Sequence, residues 1–412
     1  MIRQFAALLL GTAILVAGSG LFNILLPVRA EIEGFSTLEI GALGAVYFAG
    51  FIVGCMIVPH FIRRVGHIRT FAVLSGAGAA TVLALVFLID PFAWGALRFV
   101  IGFAISGLYT VIESWLNDRA GAADRGTIMS VYTIVGLGML MVGQFLLTLH
   151  EPSGFEPFAF VAMLFALALV PVSLTTARNP RRPATVSLDI PGLWRLSPVG
   201  FAGCLSVGLV NGSFWSLGPV FARRSGLDVD GVVYFIAGAT LAGALAQWPL
   251  GRLSDRLDRR RVIAAAAVCA AASGALLGVW QDASTAALIA LSFVFGGCAM
   301  PLYGLSIAHA NDLVDKTGFV AAAGGLLLLY GIGASLGPVV ASGLMAYVGG
   351  GGLFLFTTLV HAGLAVFAIL RLVLQPRPVA EDRAGFVSVP RTSPTLYELD
   401  PRSEPLTDDE RR

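Results

Sequence analysis

The chain has 412 residues, of which 57% are hydrophobic and only 13% carry a charged side chain. Soluble domains carry about 25% charged residues, so this composition excludes an ordinary soluble protein and indicates a polytopic membrane protein. The net charge of +2 is small and the basic residues are dispersed over short loops, which excludes a nucleic-acid partner. The four cysteines lie in apolar runs without a CxxC pair, so we expect no metal site and no redox site.

Apolar segments long enough to cross a bilayer recur along the whole chain. A membrane-spanning helix needs about 20 apolar residues, and twelve segments of this kind form two sets of six. The first set covers residues 4–26, 39–59, 70–89, 93–115, 126–149 and 156–174. The second set covers residues 198–221, 231–251, 262–280, 284–309, 317–346 and 351–373. The sequence therefore predicts an all-α integral membrane protein with twelve transmembrane helices in two six-helix halves.

Arg and Lys residues are distributed unevenly between the two sides of these spans. An even number of spans places both termini on one side, and we assign sixteen loop Arg and Lys residues to that side. The other side has three, namely Arg29, Arg223 and Arg224. Cytoplasmic loops retain positive charge, so we expect a multi-pass protein of the bacterial inner (plasma) membrane with both termini in the cytoplasm.

Two segments outside the spans differ in composition from the rest of the chain. Residues 175–197 are polar, basic and interrupted by Pro180 and Pro183, which is typical of a linker. Residues 375–412 are rich in proline and charge with little apolar periodicity, so we expect a disordered cytoplasmic tail. The predicted domains are an N-terminal half over residues 1–174, a cytoplasmic linker over 175–197, a C-terminal half over 198–374 and the tail over 375–412.

The two halves repeat one another at constant offsets. Residues of the fourth predicted span recur in the tenth, and residues of the first recur in the seventh. In the fourth and tenth spans, the matching residues are Gly102, Leu108, Tyr109, Asn117 and Asp118 and, in the same order, Gly296, Leu302, Tyr303, Asn311 and Asp312. In the first and seventh spans, they are Gly20, Pro27 and Val28 and, in the same order, Gly212, Pro219 and Val220. Two six-helix halves in parallel repeat are expected to hold a substrate path between them, near the membrane midplane.

A dense charge cluster, Gly251–Arg261, lies between the eighth and ninth predicted spans. Its arginines are costly to place in a bilayer, and its glycine allows two helix ends to approach closely. The run has the form G-x-x-x-D-R-x-x-R-R, which resembles the cytoplasmic loop signature of the major facilitator superfamily of secondary transporters. Arg98–Gly102 resembles a second pattern of this family. Gly107–Asn117 and Arg63–Arg69 are similar to its poorly characterised YcaD-like branch.

The resemblance implies a gating role for the signature acid. In this family the acid faces a helix N-terminus of the other half and locks the outward-open state from the cytoplasmic side. Asp255 is that acid here, and we expect it to face the start of the fifth span near Gly126. The neighbouring gate positions are Gly251, Arg256, Arg259 and Arg260. Alternatively, the arginines of the whole cluster only hold this loop on the cytoplasmic side of the membrane, and the cluster has no gating role.

The copy of this signature after the second span has lost its acid. Alignment places Pro59 at the glycine and Arg63 at the aspartate. A helix N-terminus repels a basic residue. We therefore hypothesise that Arg63 or Arg64 instead pairs with Asp312 or Asp315, beside the eleventh span.

Two charged residues lie well inside the predicted spans of the first half, away from their ends. Arginine in hydrocarbon usually faces the bundle interior, so we expect Arg98 to face a cavity; alternatively it lies near the outer interface and extends to lipid phosphates. Glu113 is fifteen residues further on, about 22 Å along a helix, so the two cannot pair directly. Intramembrane carboxylates mark proton relays, which makes Glu113 the predicted proton-coupling site. The alternative is a structural Glu113 that bonds to neighbouring backbone, Arg119 or Arg125.

Polar and aromatic residues inside the spans are expected to line the cavity. These are Asn23, Tyr47, Tyr109, Tyr132, Gln144, Asn211, Trp215, Gln247, Tyr303 and Tyr330. Together they predict hydrogen bonding and aromatic surface for a small organic solute, although polar residues can instead bridge packed helices.

These features predict a secondary active transporter that moves a small organic solute across the lipid bilayer by alternating access. We expect it to be coupled to protons and to work as a monomer. No phosphate-binding loop and no His-Glu-x-x-His motif occurs, so neither a cofactor nor an enzyme activity is expected. The alternative is a transporter-like membrane sensor or scaffold that signals through its tail. The sequence leaves the substrate and the choice between efflux and uptake open.

Overall fold

The computed structural model describes residues 5–121, 124–174, 190–314, 318–374, 385–388 and 390–400. Apart from turns, loops and short 3-10 helices, these residues form α-helices. The N-terminal half contains α1 (Ala6–Ile32), α2 (Thr37–Val65), α3 (His67–Phe87), α4 (Pro91–Arg119), α5 (Arg125–Phe145), α6 (Glu156–Leu167) and α7 (Leu169–Ser173). A 3-10 helix, Leu146–Leu149, extends α5.

The second half follows a short helix, α8 (Ile190–Leu196), at the end of the linker. It contains α9 (Pro198–Arg224), α10 (Val229–Arg256), α11 (Arg259–Val279), α12 (Thr285–Ala299), α13 (Leu302–Asn311), α14 (Phe319–Val348) and α15 (Gly352–Leu374). In the described part of the chain, twelve segments are long and apolar enough to span a membrane, with α6 and α7 forming one of them and α12 and α13 another. The predicted all-α membrane fold is confirmed.

Several helices extend beyond their predicted limits, and polar side-chain caps set the first residues of α2 and α4. Ser36 accepts a hydrogen bond from the Glu39 backbone at the start of α2, and the Glu39 side chain accepts one from the Ser36 backbone in return. Asp90 caps α4 immediately before Pro91. Such caps satisfy backbone N–H groups that lack a partner within the helix. At the other end of α2, Arg63, which we assigned to a loop, lies in the last turn of the helix.

The repeated glycines lie at matching helix crossings in the two halves. A Cβ atom at Gly20 of α1 would clash with the Leu140 carbonyl oxygen of α5, and one at Gly212 of α9 with the Ala334 carbonyl oxygen of α14. Gly102 of α4 meets α2 in the same way, and Gly296 of α12 meets α10. Small residues let membrane helices approach closely. The sequence repeat is therefore a repeat of helix packing.

The halves are in direct contact at the end of the bundle remote from the first residue of α1 and the last residue of α15, which we call the distal end. There Glu31 of α1 forms ion pairs with Arg223 and Arg224 of α9, with N–O distances of 3.3 and 3.0 Å. Gly44 of α2 packs directly against Ser216 of α9. At the opposite end, which we call the termini end, the space between the halves holds described residues of the C-terminal tail.

Candidate functional site

A cavity of about 480 Å³ lies between the two halves. Helices α1, α2, α4 and α5 line one side, and α9, α10, α13 and α14 line the other. Its wall includes most of the residues that the sequence singled out, namely Asn23, Tyr47, Arg98, Tyr109, Tyr132, Trp215, Gln247, Tyr303 and Tyr330. The cavity wall thus combines apolar and aromatic surface with a smaller number of polar groups, as sites for small organic molecules do.

Gln144 and Asn211 are not among the described residues that line this cavity. Both are buried within helix contacts. The Gln144 side-chain nitrogen donates a hydrogen bond of 3.3 Å to Thr240 Oγ1, which joins α5 to α10 across the two halves. Asn211 precedes Gly212, where α9 packs against α14. The rotation of α5 thus directs the Gln144 amide toward α10 and not toward the cavity.

Arg98 is 5% exposed and lies in the cavity wall. Its guanidinium carbon is 4.4 Å from the ring centroid of Tyr47 and 5.2 Å from that of Phe22. Its Nε and Nη1 atoms are buried without a hydrogen-bond partner among the described residues. Stacking on two aromatic rings compensates part of the lost hydration, but the two nitrogens still have donor capacity for an anionic or carbonyl group in the cavity.

Glu113 is completely buried behind the cavity wall. Its Oε1 atom accepts a hydrogen bond of 2.6 Å from the Tyr132 hydroxyl of α5, and its Oε2 atom accepts one from the Ser393 hydroxyl of the tail. Hydroxyl groups, not Arg119 or Arg125, are therefore its hydrogen-bond partners. The carboxylate connects the first half to the tail.

The charge cluster Gly251–Arg261 folds as a tight turn between two helices. Helix α10 continues to Arg256, and Asp258 caps α11 from Arg259 onward. The Asp258 carboxylate also accepts a 2.8 Å hydrogen bond from Arg260 Nη2. Burial alone would raise the pKa of Asp258, but the hydrogen bonds from Arg260 outweigh it and hold this pKa below its ordinary value.

Asp255 and Asp312 are joined by one arginine of the same half. Arg259 is 1% exposed, and its Nη1 atom lies 3.1 Å from Asp255 Oδ1 while its Nε atom lies 2.7 Å from Asp312 Oδ2. Among the described residues Arg63 and Arg64 form no ion pair, and Asp315 lies outside the described residues. The pairing that we hypothesised for Asp312 is thus occupied by Arg259, because the helix turn brings Arg259 beside the end of α13.

The described part of the tail, which we call the tail segment (residues 385–388 and 390–400), differs from the expected disorder. It ends in a 3-10 helix, Pro394–Leu399. Leu396 and Tyr397 are completely buried, and Phe386 packs against Gly251 and Gly304. Burial of these apolar side chains offsets the cost of ordering the segment.

Sequence reasoning missed the tail residues that reach the site. Ser388, Arg391 and Thr395 line the cavity, and Ser393 bonds to Glu113. A signal was present, since Phe386–Val387 and Leu396–Tyr397 are apolar pairs in an otherwise polar tail. Two adjacent apolar residues are too few to show a helical or strand periodicity. The sequence therefore does not indicate that these pairs pack beside the cavity.

The chain is similar to one large protein family and to curated proteins of that family. The Major Facilitator Superfamily profile matches residues 8–244 and 233–399, which together cover most of the chain. The protein described as uncharacterized MFS-type transporter YcaD from Escherichia coli O6:K15:H31 is 28% identical over 380 residues. That alignment covers 92% of this chain and 98% of the relative.

Solved structures agree with the fold at much lower sequence identity. The nucleoside transporter NupG is 15% identical with a TM-score of 0.79, covering 90% of this chain and 100% of NupG. A bacterial homologue of the human lysosomal transporter Spinster, in an inward-facing and occupied conformation, is 14% identical with a TM-score of 0.74. This match covers 92% of the present chain and 98% of that one.

Proposed function

Because the chain belongs to the major facilitator superfamily, in its YcaD-like branch, we propose that it is a secondary active transporter of a small organic solute. It moves the solute across the bacterial inner membrane by alternating access. The observation that carries this proposal is the 480 Å³ cavity between the halves, with the unpartnered guanidinium of Arg98 in its wall. One chain forms the whole cavity, which supports a functional monomer.

The contacts between the halves support alternating access. The ion pairs of Glu31 and the packing of Gly44 against Ser216 close the distal end. If the positive-inside rule sets the orientation, the termini end is cytoplasmic and this conformation faces inward. The outward-facing state then requires the distal contacts to separate and the termini ends of the halves to approach.

Asp255 is the proposed gate residue at the termini end. In the present conformation its carboxylate accepts hydrogen bonds of 2.9 and 3.1 Å from the Phe386 backbone nitrogen, not from the start of α5. We propose that Asp255 contacts the N-terminus of α5 in the opposite, outward-open conformation, as the family resemblance implies. Asp255 would thus exchange one backbone N–H partner for others during the cycle.

Glu113 is the proposed proton-coupling site. A charged carboxylate is costly in the membrane interior and marks proton pathways in carriers. Glu113 bonds to Tyr132 on the cavity wall, so a proton bound there lies close to the solute. Proton binding and solute binding can then favour the same conformation, which is the requirement for coupled transport.

A thermal-shift screen of purified protein against metabolites and amphipathic drugs, followed by counterflow in proteoliposomes with each hit, tests the transport proposal. We expect at least one solute that raises the melting temperature to show counterflow. A solute that binds in the cavity but shows no flux in either direction would favour the sensor or scaffold alternative.

Replacement of Glu113 by Gln tests proton coupling. We expect Glu113→Gln to lose solute accumulation driven by an imposed pH gradient while keeping counterflow, because glutamine fills the same space but takes up no proton. Glu156→Gln, at an exposed acid at the start of α6, is the matched control and should accumulate solute normally. Unchanged pH-driven accumulation in Glu113→Gln would remove this residue from the coupling mechanism.

A further inference from the structure

The tail segment lies at the termini end of the cavity, and residues of both halves bind it. We propose that it is an internal ligand of the cavity that competes with the solute and holds the two halves in their present arrangement. The inhibitory consequence rests on the proposed transport function, whereas the binding itself can be measured without any solute.

The first group of contacts joins the tail segment to the signature turn. The backbone nitrogen of Phe386 donates to both carboxylate oxygens of Asp255. The Phe386 ring packs where Gly251 and Gly304 have no side chain, so that a Cβ atom at Gly251 would clash with the ring. Ser388 then donates a hydrogen bond to the Gln247 side-chain oxygen, one helix turn before Gly251.

The second group places aromatic and cationic side chains in the C-terminal half of the cavity. The guanidinium carbon of Arg391 is 5.6 Å from the ring centroids of both Tyr303 and Tyr330. The Tyr397 and Tyr303 hydroxyls lie 2.6 Å apart and share a hydrogen bond. Tyr397 is completely buried, so both its burial and this hydrogen bond hold this end of the tail segment against the C-terminal half.

The third group reaches the N-terminal half. Ser393 donates to the Glu113 carboxylate, and Asn117 Nδ2 donates a 2.8 Å hydrogen bond to the Thr395 carbonyl oxygen. The thiol of Cys55 lies 4.0 Å from the Thr392 carbonyl oxygen. The tail segment thus bridges α2 and α4 of one half to α10, α13 and α14 of the other.

These contacts oppose the transport cycle for two physical reasons. The termini ends of the halves must approach to form the outward-facing state, and the tail segment occupies the space between them. It also uses Asp255 and Glu113, the proposed gate and proton sites. Because the tail is tethered, its effective concentration at the cavity is high, so even modest contacts keep the site occupied.

Labelling of Cys55 measures this occupancy directly. In a chain with Cys204, Cys269 and Cys298 replaced by serine, Cys55 is the single thiol available to a hydrophilic maleimide. We expect removal of residues 385–412 to accelerate its labelling by about tenfold, as for a site freed from a largely bound competitor. Removal of residues 401–412 alone, the matched control, should leave the rate unchanged. Equal rates in the full-length chain and in the chain lacking 385–412 would overturn the proposal.

Two further measurements separate release of the tail from misfolding of the truncated chain. A synthetic peptide of residues 385–400, added to the truncated protein, should restore slow labelling of Cys55. In the full-length chain, Arg391→Ala with Tyr397→Phe should accelerate labelling without truncation. If the peptide gives no protection and this double variant labels at the original rate, the tail segment does not bind the cavity.

A cross-link tests whether bound tail blocks transport. Thr392→Cys in the same chain places a second thiol beside Cys55, and oxidation with copper phenanthroline should join them as a disulfide. Replacement of Cys55 by serine is the control without a cross-link. We expect cross-linking to abolish counterflow of a solute found in the screen and reduction to restore it.

Failure to form the cross-link would overturn the proposal that the tail segment binds the cavity. Unchanged counterflow after cross-linking would overturn the proposal that the bound tail inhibits transport. If no form of the protein shows counterflow but the tail still protects Cys55 from maleimide, the proposed transport function is wrong. Binding of the tail segment to the cavity would then still hold.

Discussion

At the scale of single residues, two buried arginines differ in whether other groups satisfy their charge. Arg29 is 8% exposed and is satisfied by Glu33, at an Nε–Oε1 distance of 2.5 Å, and by the Ser153 carbonyl oxygen. Arg98 is 5% exposed and has only aromatic rings as described partners. A buried charge without hydrogen-bond partners is costly to stability, so we infer that Arg98 is retained for what enters the cavity.

We expect replacement by methionine to have different effects on protein stability at Arg29 and at Arg98. We expect Arg29→Met to destabilise the protein by about 1–3 kcal/mol, since it leaves backbone carbonyl groups and Glu33 without a donor. Arg98→Met should leave the melting temperature of the solute-free protein unchanged or raise it, and should remove the thermal shift caused by anionic solutes. Thermal unfolding in detergent measures both. A clear loss of stability in Arg98→Met would instead assign Arg98 a structural role.

At the scale of the helices, glycine position decides how closely neighbours pack. Gly102 and Gly95 lie in the same helix, α4. A Cβ atom at Gly102 would clash with the Tyr47 carbonyl oxygen of α2, whereas a Cβ atom at Gly95 meets nothing within 4 Å. The first glycine is required by a helix crossing, and the second is not.

Alanine at these two positions should therefore give contrasting results. Gly102→Ala is expected to destabilise the protein by about 1–3 kcal/mol, because α2 and α4 must move apart. Gly95→Ala is expected to be neutral or stabilising by up to about 1 kcal/mol, because alanine favours the helix. Melting temperatures of the two purified variants compare them directly. Equal melting temperatures would contradict the close crossing of α2 and α4.

At the scale of the whole molecule, contacts between the halves at each end bear on the conformational equilibrium. The distal end is closed by Glu31 with Arg223 and Arg224, which joins α1 to α9. The termini end holds the tail segment. Both sets of contacts favour the same arrangement of the halves, so weakening either set should populate the alternative arrangement.

Neutralising the distal ion pairs should open that end of the molecule. In a chain without its native cysteines, Ser216→Cys reports opening, since Ser216 is buried against Gly44. We expect Glu31→Gln to accelerate labelling of this cysteine by an impermeant maleimide about two- to fivefold, the effect of a partly exposed ion pair. Glu33→Gln is the matched control, because Glu33 pairs with Arg29 of its own half. Equal rates for both variants would show that these ion pairs do not hold the distal end closed.

The sequence by itself determined the twelve spans, the two-fold repeat and the position of the charge cluster between α10 and α11. Span length, charge placement and recurring glycines are local properties, and a bilayer accepts few alternatives to a helix for such segments. The same local signals indicated Arg98, Tyr47, Trp215 and Tyr303, which the structure places in the cavity wall.

Only the tertiary structure decided what each polar group contacts. Helix rotation directs Gln144 toward Thr240, and the turn at Asp258 places Arg259 beside Asp312. The tail segment shows this dependence most strongly, because Ser393 and Glu113 are 280 residues apart in the chain. No local pattern encodes such a contact, since it exists only where two packed halves leave a cavity that the end of the chain can enter.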